Sequence, residues 1–309
     1  TEGDFEVEEA FFTSTALGNG LKVKGGKFLS NFGYINDKHH HTWSFSDASL
    51  IYEGFFGSEG LNEIGLQAQW LAPTSNYLMF GLEVLQGNNE QSFGTDTIGD
   101  VESPKAKGSD APSLFVAYAK SSFDLGDTTI LGGISYANGT TRLDHSSDED
   151  PSVFTGDSEI YGADLLVKHY FNPYSYLSWQ SEVMMREMDG QELTETVANS
   201  GTFDSSANVN KKQAGLYTQL EYGIDNNWKT AVRYDSIFKN DHNDASVFTP
   251  SNLNKYSAMV EYRTSEFAKF RLQYNRNEAL YNEDGRKQKI DTVILQANFA
   301  IGAHGAHSF

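Results

Sequence analysis

Cysteine is absent from the 309 residues, which excludes a disulfide framework, a thiolate metal site and a thiol nucleophile. Proline is scarce, at 6 residues. No apolar run approaches the ~18 residues that a membrane-spanning helix requires. Positive charge is in deficit: 23 Lys and Arg stand against 42 Asp and Glu, a net charge of -19. That balance excludes nucleic acid, whose phosphates need a basic surface. Catalytic signatures are missing as well. There is no Gly-x-Ser-x-Gly elbow, no Walker loop and no His-Glu-x-x-His, so no enzymatic activity is expected. The acidic start, with Glu2, Asp4 and Glu6, is unlike a signal peptide, and the expectation is that a leader has been removed or that the chain is a fragment.

What is present is alternation. Aromatic residues make up 13% of the chain, with 21 Phe, 16 Tyr and 28 Gly. Segment 61–70 sets Ile64, Leu66, Ala68 and Trp70 against Glu63, Gln67 and Gln69. Segment 77–87 sets Leu78, Phe80, Leu82 and Val84 against Gly81 and Glu83. A two-residue period of this kind marks a strand with a different environment on each face. Thirteen such segments follow one another: 5–14, 21–30, 61–70, 77–87, 112–121, 129–138, 158–171, 175–188, 211–223, 227–238, 254–263, 267–278 and 289–303. Short turns alternate with long polar stretches between them. Strands of ~10 residues joined in that rhythm are the pattern of an outer-membrane barrel, which shows lipid only every second residue. An immunoglobulin-like sandwich does not sort its loops by length so regularly.

The expected fold is therefore all-β, a single transmembrane antiparallel up-and-down barrel over 1–309. Bacterial barrels carry even strand numbers, so 14 to 16 strands are expected in the complete protein. The long loops are expected outside the cell and the C-terminus in the periplasm. Residues 31–59 form one long loop whose apolar piece, Leu50 to Tyr52 with Phe55 and Phe56, is a candidate to fold into the lumen as a constriction.

The inward face carries Glu63, Glu83, Asp164, Glu182, Glu221, Asp235 and Glu261 against Lys168, Arg186, Lys229, Arg233, Arg263 and Arg271. These nearly cancel, so the net negative charge resides in the loops, above all in 142–159. The pore-lining candidates are Glu182, Arg186, Glu221, Lys229, Arg233, Asp235, Glu261, Arg263 and Arg271. Two readings stand: salt-bridged filling of a wet wall, or a transverse field in which Arg233, Arg263 and Arg271 face acids on an infolded loop. His39 and His41, at i and i+2 of an extended piece, are candidates to share a divalent metal such as Zn²⁺, with Asp37 or Asp47 adding oxygen. His304 and His307 form a weaker pair. The acidic stretch 144–159 is a weak Ca²⁺ candidate without EF-hand spacing. No cofactor is required by any of this.

The last strand, from Val293 onwards, is closed by Phe309 and resembles the signal by which barrel-assembly machinery recognises outer-membrane barrels. Gly26-Lys27-Phe28-Leu29-Ser30-Asn31-Phe32-Gly33-Tyr34-Ile35-Asn36, followed by His39-x-His41, resembles a group of proteobacterial outer-membrane proteins. So do the stretch from Gly60-Leu61 to Trp70-Leu71-Ala72-Pro73 and the closing Gly302-Ala303-His304-Gly305-Ala306-His307-Ser308-Phe309. Members of that group are labelled zinc-regulated TonB-dependent outer-membrane receptors, though no plug domain is seen in this chain. The Gly-Lys-Phe piece is more distantly similar to phosphate-selective-type porins, which implies a sixteen-stranded barrel with further strand-like sequence upstream. The function expected is a passive porin-like channel for small hydrophilic solutes or ions, favouring cations through its acidic outer loops. The alternatives are a zinc-binding or uptake protein and an occluded structural or receptor barrel. The expected partners are outer-membrane lipid and lipopolysaccharide, the assembly machinery and the solutes, with a homotrimer as one assembly that no strand face signals.

Overall fold

The computed structural model describes residues 7–299 apart from 90, 101–102, 107, 146–151, 196, 198–201, 244–248, 266 and 282–284. Phe309, His304 and His307 lie outside the described residues, as does part of the acidic stretch 144–159.

Thirteen strands form one antiparallel sheet in which each strand neighbours the one before it. In chain order they are β1 (Ala10–Ser14), β2 (Leu21–Leu29), β3 (Asn62–Leu71), β4 (Tyr77–Leu85), β7 (Leu114–Leu125), β8 (Thr128–His145), β9 (Ser152–Asn172), β10 (Ser175–Thr194), β11 (Ser205–Gly223), β12 (Trp228–His242), β13 (Leu253–Ser265), β14 (Ala268–Asn277) and β15 (Ile290–Phe299). A separate hairpin, β5 (Ile98–Asp100) and β6 (Ser103–Ala106), lies in the β4–β7 connection. One helix, α1 (Leu50–Phe56), lies between β2 and β3. This is the up-and-down barrel fold expected from the alternation. Among the described residues β1 and β15 stand at the two ends of the strand order.

The two faces of the sheet are inverted relative to a water-soluble protein. On the outside, Ile64, Leu66, Leu82, Phe115, Ile134, Trp179, Val183, Val232, Leu272 and Leu295 are all exposed. On the inside, Glu83, Glu182, Arg233, Asp235, Glu261 and Arg271 are buried. A continuous apolar surface of this size is stable only against lipid or another apolar partner, and buried charge is tolerated only where it is paired. Aromatic pairs sit on the outer face near strand ends, Trp228 with Tyr262 at 4.6 Å and Phe171 with Tyr222 at 6.3 Å between ring centroids, as interfacial girdles do. No helix among the described residues is long and apolar enough to cross a membrane.

The strands differ from expectation chiefly in length. β8 to β11 run 18, 21, 20 and 19 residues, where a tilted span needs only ~9–11. The additional residues continue the ladder and bring buried apolar groups of their own, Phe154 and Val209 packed with Met188 and Leu143, and Val153 with Ile98 and Leu193. Hydrophobic period does not register such extensions, because their apolar residues stand singly or side by side, as Val153 and Phe154 do, rather than in alternation. Ala214 shares the parity of the exposed Leu220 and Tyr222 on β11, yet is buried beside a register shift between Ala214 and Gly215.

Candidate functional site

The 31–59 loop does not remain outside. Residues 30–61 enter the ring of strands and bond to inward side chains from β4 to β15. The entry is pinned where Ser30 Oγ donates to Glu83 Oε2 at 2.5 Å and the Asn31 N–H donates to Glu83 Oε1 at 3.0 Å. Asn36 closes the neck. Its amide donates to the carbonyls of Ser30 (2.7 Å) and Leu61 (3.0 Å), and its Oδ1 accepts the Leu61 N–H at 2.8 Å.

Two carboxylates then act as hubs. Glu182 on β10 accepts the backbone N–H groups of Tyr34 at 2.9 Å and Ile35 at 3.2 Å, together with the hydroxyls of Tyr52 at 2.8 Å and of Tyr217. Gly33, at φ +65°, lies so close that a Cβ there would strike the Glu182 carboxylate and the Tyr52 hydroxyl. Asp47 is the second hub and belongs to the inserted segment. It accepts from Arg233 (3.1 Å), Lys255 (3.0 Å), Gln273 (2.6 Å) and Asn275 (3.1 Å), which lie on β12, β13 and β14. Burial opposes ionisation of Asp47, but the Arg233 and Lys255 cations outweigh it and hold the carboxyl below its ordinary range. Between the hubs, Ser44 Oγ donates to Glu221 at 2.5 Å, Arg271 donates to the Trp43 carbonyl at 2.6 Å, and the Leu50 N–H donates to Asp235 at 3.1 Å.

The apolar half of the segment forms α1, whose Ile51, Tyr52, Phe55 and Phe56 are buried with Phe28, Phe32, Leu85, Phe93, Leu114 and Met184. The 86–113 connection joins this cluster. Ser92 Oγ donates to the Phe55 carbonyl at 2.5 Å, and Asn89 donates to the Phe56 carbonyl at 2.8 Å. Arg186 lies 4.6 Å from the Phe55 ring centroid and donates to Gln91 and Ser92 at 2.8 and 2.7 Å.

The nine inward residues named from the sequence thus divide. Glu182, Arg186, Glu221, Arg233, Asp235 and Arg271 hold inserted chain. Lys229 and Glu261 stand beside them in ion pairs, Lys229 with Glu221 at 3.1 Å and Glu261 with Arg271 at 2.7 Å. Arg263 is half exposed at the strand end, 3.5 Å from Glu261. Of the supposed basic stripe, Arg233 meets an acid of the inserted segment, whereas Arg271 pairs with Glu261 on the wall. Sequence reasoning missed Asp47 as a hub, and also Lys255, Gln273 and Asn275. Their inward parity on β13 and β14 was the available signal.

Asp47 is therefore engaged away from the histidines and is not the oxygen ligand proposed beside them. Nor is the histidine run extended: His40–Thr42 is a single 3-10 turn, closed by the Thr42 N–H donating to the His39 carbonyl at 2.9 Å. His39 lies 3.1 Å from Glu9 and 3.4 Å from Glu8, and its ring stacks on His41 at 5.5 Å. No group of three or more potential metal ligands converges among the described residues.

A polar cavity of about 310 Å³ remains between residues 34–44 and the inner faces of β7 to β12. Its lining includes Tyr34, Lys38, Trp43, Leu131, Leu166, Lys168, Tyr176 and Glu221.

An inside-out sheet curled around a charged interior defines a transmembrane up-and-down β-barrel. A solved structure of OmpT, an outer-membrane protein of Vibrio cholerae folded in vitro, superposes with a TM-score of 0.51 at 10% identity, covering 91% of this chain and 76% of that one. That likeness extends to the fold. The outer-membrane expressed form of the same protein gives 0.48 at 12% identity over 93% of this chain and 78% of that chain. In sequence, the chain is 42% identical over 312 residues to an uncharacterized protein of Aquifex aeolicus (strain VF5), covering 100% of this chain and 64% of that relative. The chain thus spans under two thirds of that relative's length. No family model matches.

Proposed function

We propose that the protein is a channel of the bacterial outer membrane, passing small hydrophilic solutes through a lumen that residues 30–61 narrow. The carrying observation is the inserted segment itself, fastened along one side by Glu182, Asp47 and Arg271 and leaving a polar cavity beside it. Committing so many inward polar groups to hold a loop inside a barrel is a costly arrangement unless the loop shapes passage. On this reading the long connections face outward and the acids among them enrich cations at the mouth. Planar-bilayer recording tests it. Discrete conductance steps are expected, with a reversal potential under a KCl gradient that favours cations; a silent bilayer would remove the channel.

The second reading, an occluded receptor barrel, is favoured by the apolar cluster of α1 with Phe32, Phe93 and Met184, which has no role in hydrating a pore. Zinc uptake through His39 and His41 rests on the pair alone. Unchanged zinc affinity in a His39→Ala/His41→Ala variant would remove it.

A further inference from the structure

We infer that the cavity between residues 34–44 and the wall is a binding site for a small organic carboxylate with an apolar ring. The inference deepens the channel reading and rests on it for its biological role.

The first observation is unpaired positive charge. Lys168 Nζ stands 4.3 Å from the Tyr176 ring centroid and 4.9 Å from that of Tyr170. Lys38 Nζ, on the inserted segment, stands 4.5 Å from the Tyr34 ring. Neither ammonium has a carboxylate within ion-pair distance among the described residues. Four cations of the wall are paired with acids, Lys229 with Glu221, Arg233 with Asp235, Lys255 with Asp47 and Arg271 with Glu261, and two more donate to backbone carbonyls, Lys120 to Gly33 at 2.6 Å and Arg186 to Gln91 at 2.8 Å. The one acid lining the cavity is already committed. Glu221 accepts from Lys229 at 3.1 Å, Ser44 at 2.5 Å and Tyr176 at 2.7 Å. The nearest acid on the inner face of β9, Asp164, is four positions from Lys168, about 13 Å along the strand at ~3.3 Å per residue, too far to pair with it. The cavity therefore keeps two positive charges with no internal counter-ion, although the chain as a whole is strongly acidic.

The second observation is the wall. Leu131, Leu166, Ile35 and Trp43 supply apolar surface beside the two lysines. An inorganic anion would satisfy the charge and leave that surface wet. A carboxylate on a single ring satisfies both, and about 310 Å³ is the small end of ligand cavities.

Benzoate and inorganic phosphate are the probes. Calorimetry on the full chain in detergent should show benzoate binding at least tenfold more tightly than phosphate. A Lys38→Gln/Lys168→Gln variant should lose at least tenfold in benzoate affinity, while Lys239→Gln at the far end of β12 should bind as the parent does. Absence of benzoate binding, equal binding of phosphate, or an unaltered double variant would each overturn the site. Calorimetry needs no conduction, so a silent bilayer would end the channel reading without touching the benzoate result, and a calorimetric failure would end the site without touching the channel.

Discussion

At the scale of residues, two carboxylates hold the inserted segment. Glu182 takes four donors, and its partners Tyr34 and Ile35 lie 148 and 147 positions away in the chain. Glu182→Ala would strand two backbone N–H groups and two tyrosine hydroxyls, a loss of about 2–4 kcal/mol at ~1 kcal/mol or less for each partner. Hydrogen exchange at the Tyr34 and Ile35 amides should quicken by ~30-fold or more while β13 amides keep their rate. Asp47 adds a pH dependence. Its folded carboxyl titrates below its unfolded value, so its contribution is complete above the ordinary carboxylate pKa and is lost as pH falls through the lowered folded value. Pepsin cleavage within 43–56 should therefore rise in acid, and Asp47→Asn should be cut in mildly acidic buffer where the parent resists. That Glu182 faces inward is legible in the parity of β10. That it receives loop amides is not, because no local pattern encodes a partner so far along the chain.

Among the elements, α1 and the outer sheet face bury apolar groups against different surroundings. Phe55 is 1% exposed, inside the barrel. Phe55→Ala should cost about 3–5 kcal/mol through lost contact and the cavity left behind, read as a lower urea midpoint in detergent. Leu82, 64% exposed on the outer face of β4, is solvated by lipid. Leu82→Arg should cost about 2–4 kcal/mol at mid-membrane in vesicle folding titrations, yet little in a detergent that reaches the guanidinium. The outer face was legible because alternation along each strand is a local property. The extended ends of β8 to β11 were not, since their few apolar residues, Leu143, Val153, Phe154, Leu193 and Val209, do not alternate, and the clusters they join are built across strands. The 3-10 turn at His40–Thr42 overrode an extended reading through two backbone bonds and the Thr42 hydroxyl, which donates to the His39 carbonyl at 2.8 Å.

For the whole molecule, the interior decides the function. The segment spans the inner face from Glu83 on β4 to Gln296 on β15, where Ser46 Oγ donates at 2.9 Å. Deleting residues 37–58 should widen the lumen and raise single-channel conductance severalfold, or open a silent barrel. An unchanged current would show that the segment does not limit passage. The absence of cysteine makes engineered thiol pairs between segment and wall straightforward to interpret in the same recording.

The sequence by itself determined the class of fold, the direction of the side chains and the thirteen strands of the main sheet, though not the separate β5–β6 hairpin, since each follows from a two-residue period and from turn length. It also marked 31–59 as a candidate for insertion, through an apolar piece set in a polar loop. Tertiary structure alone decided that Asp47 belongs to Arg233 and Lys255 rather than to the histidines, and that six of the nine inward charges hold chain. It also left Lys38 and Lys168 unpaired around a cavity. The physical reason is one of range: alternation is written between neighbours, whereas the pairing of buried charge depends on which strands a curled sheet brings round to face the same loop.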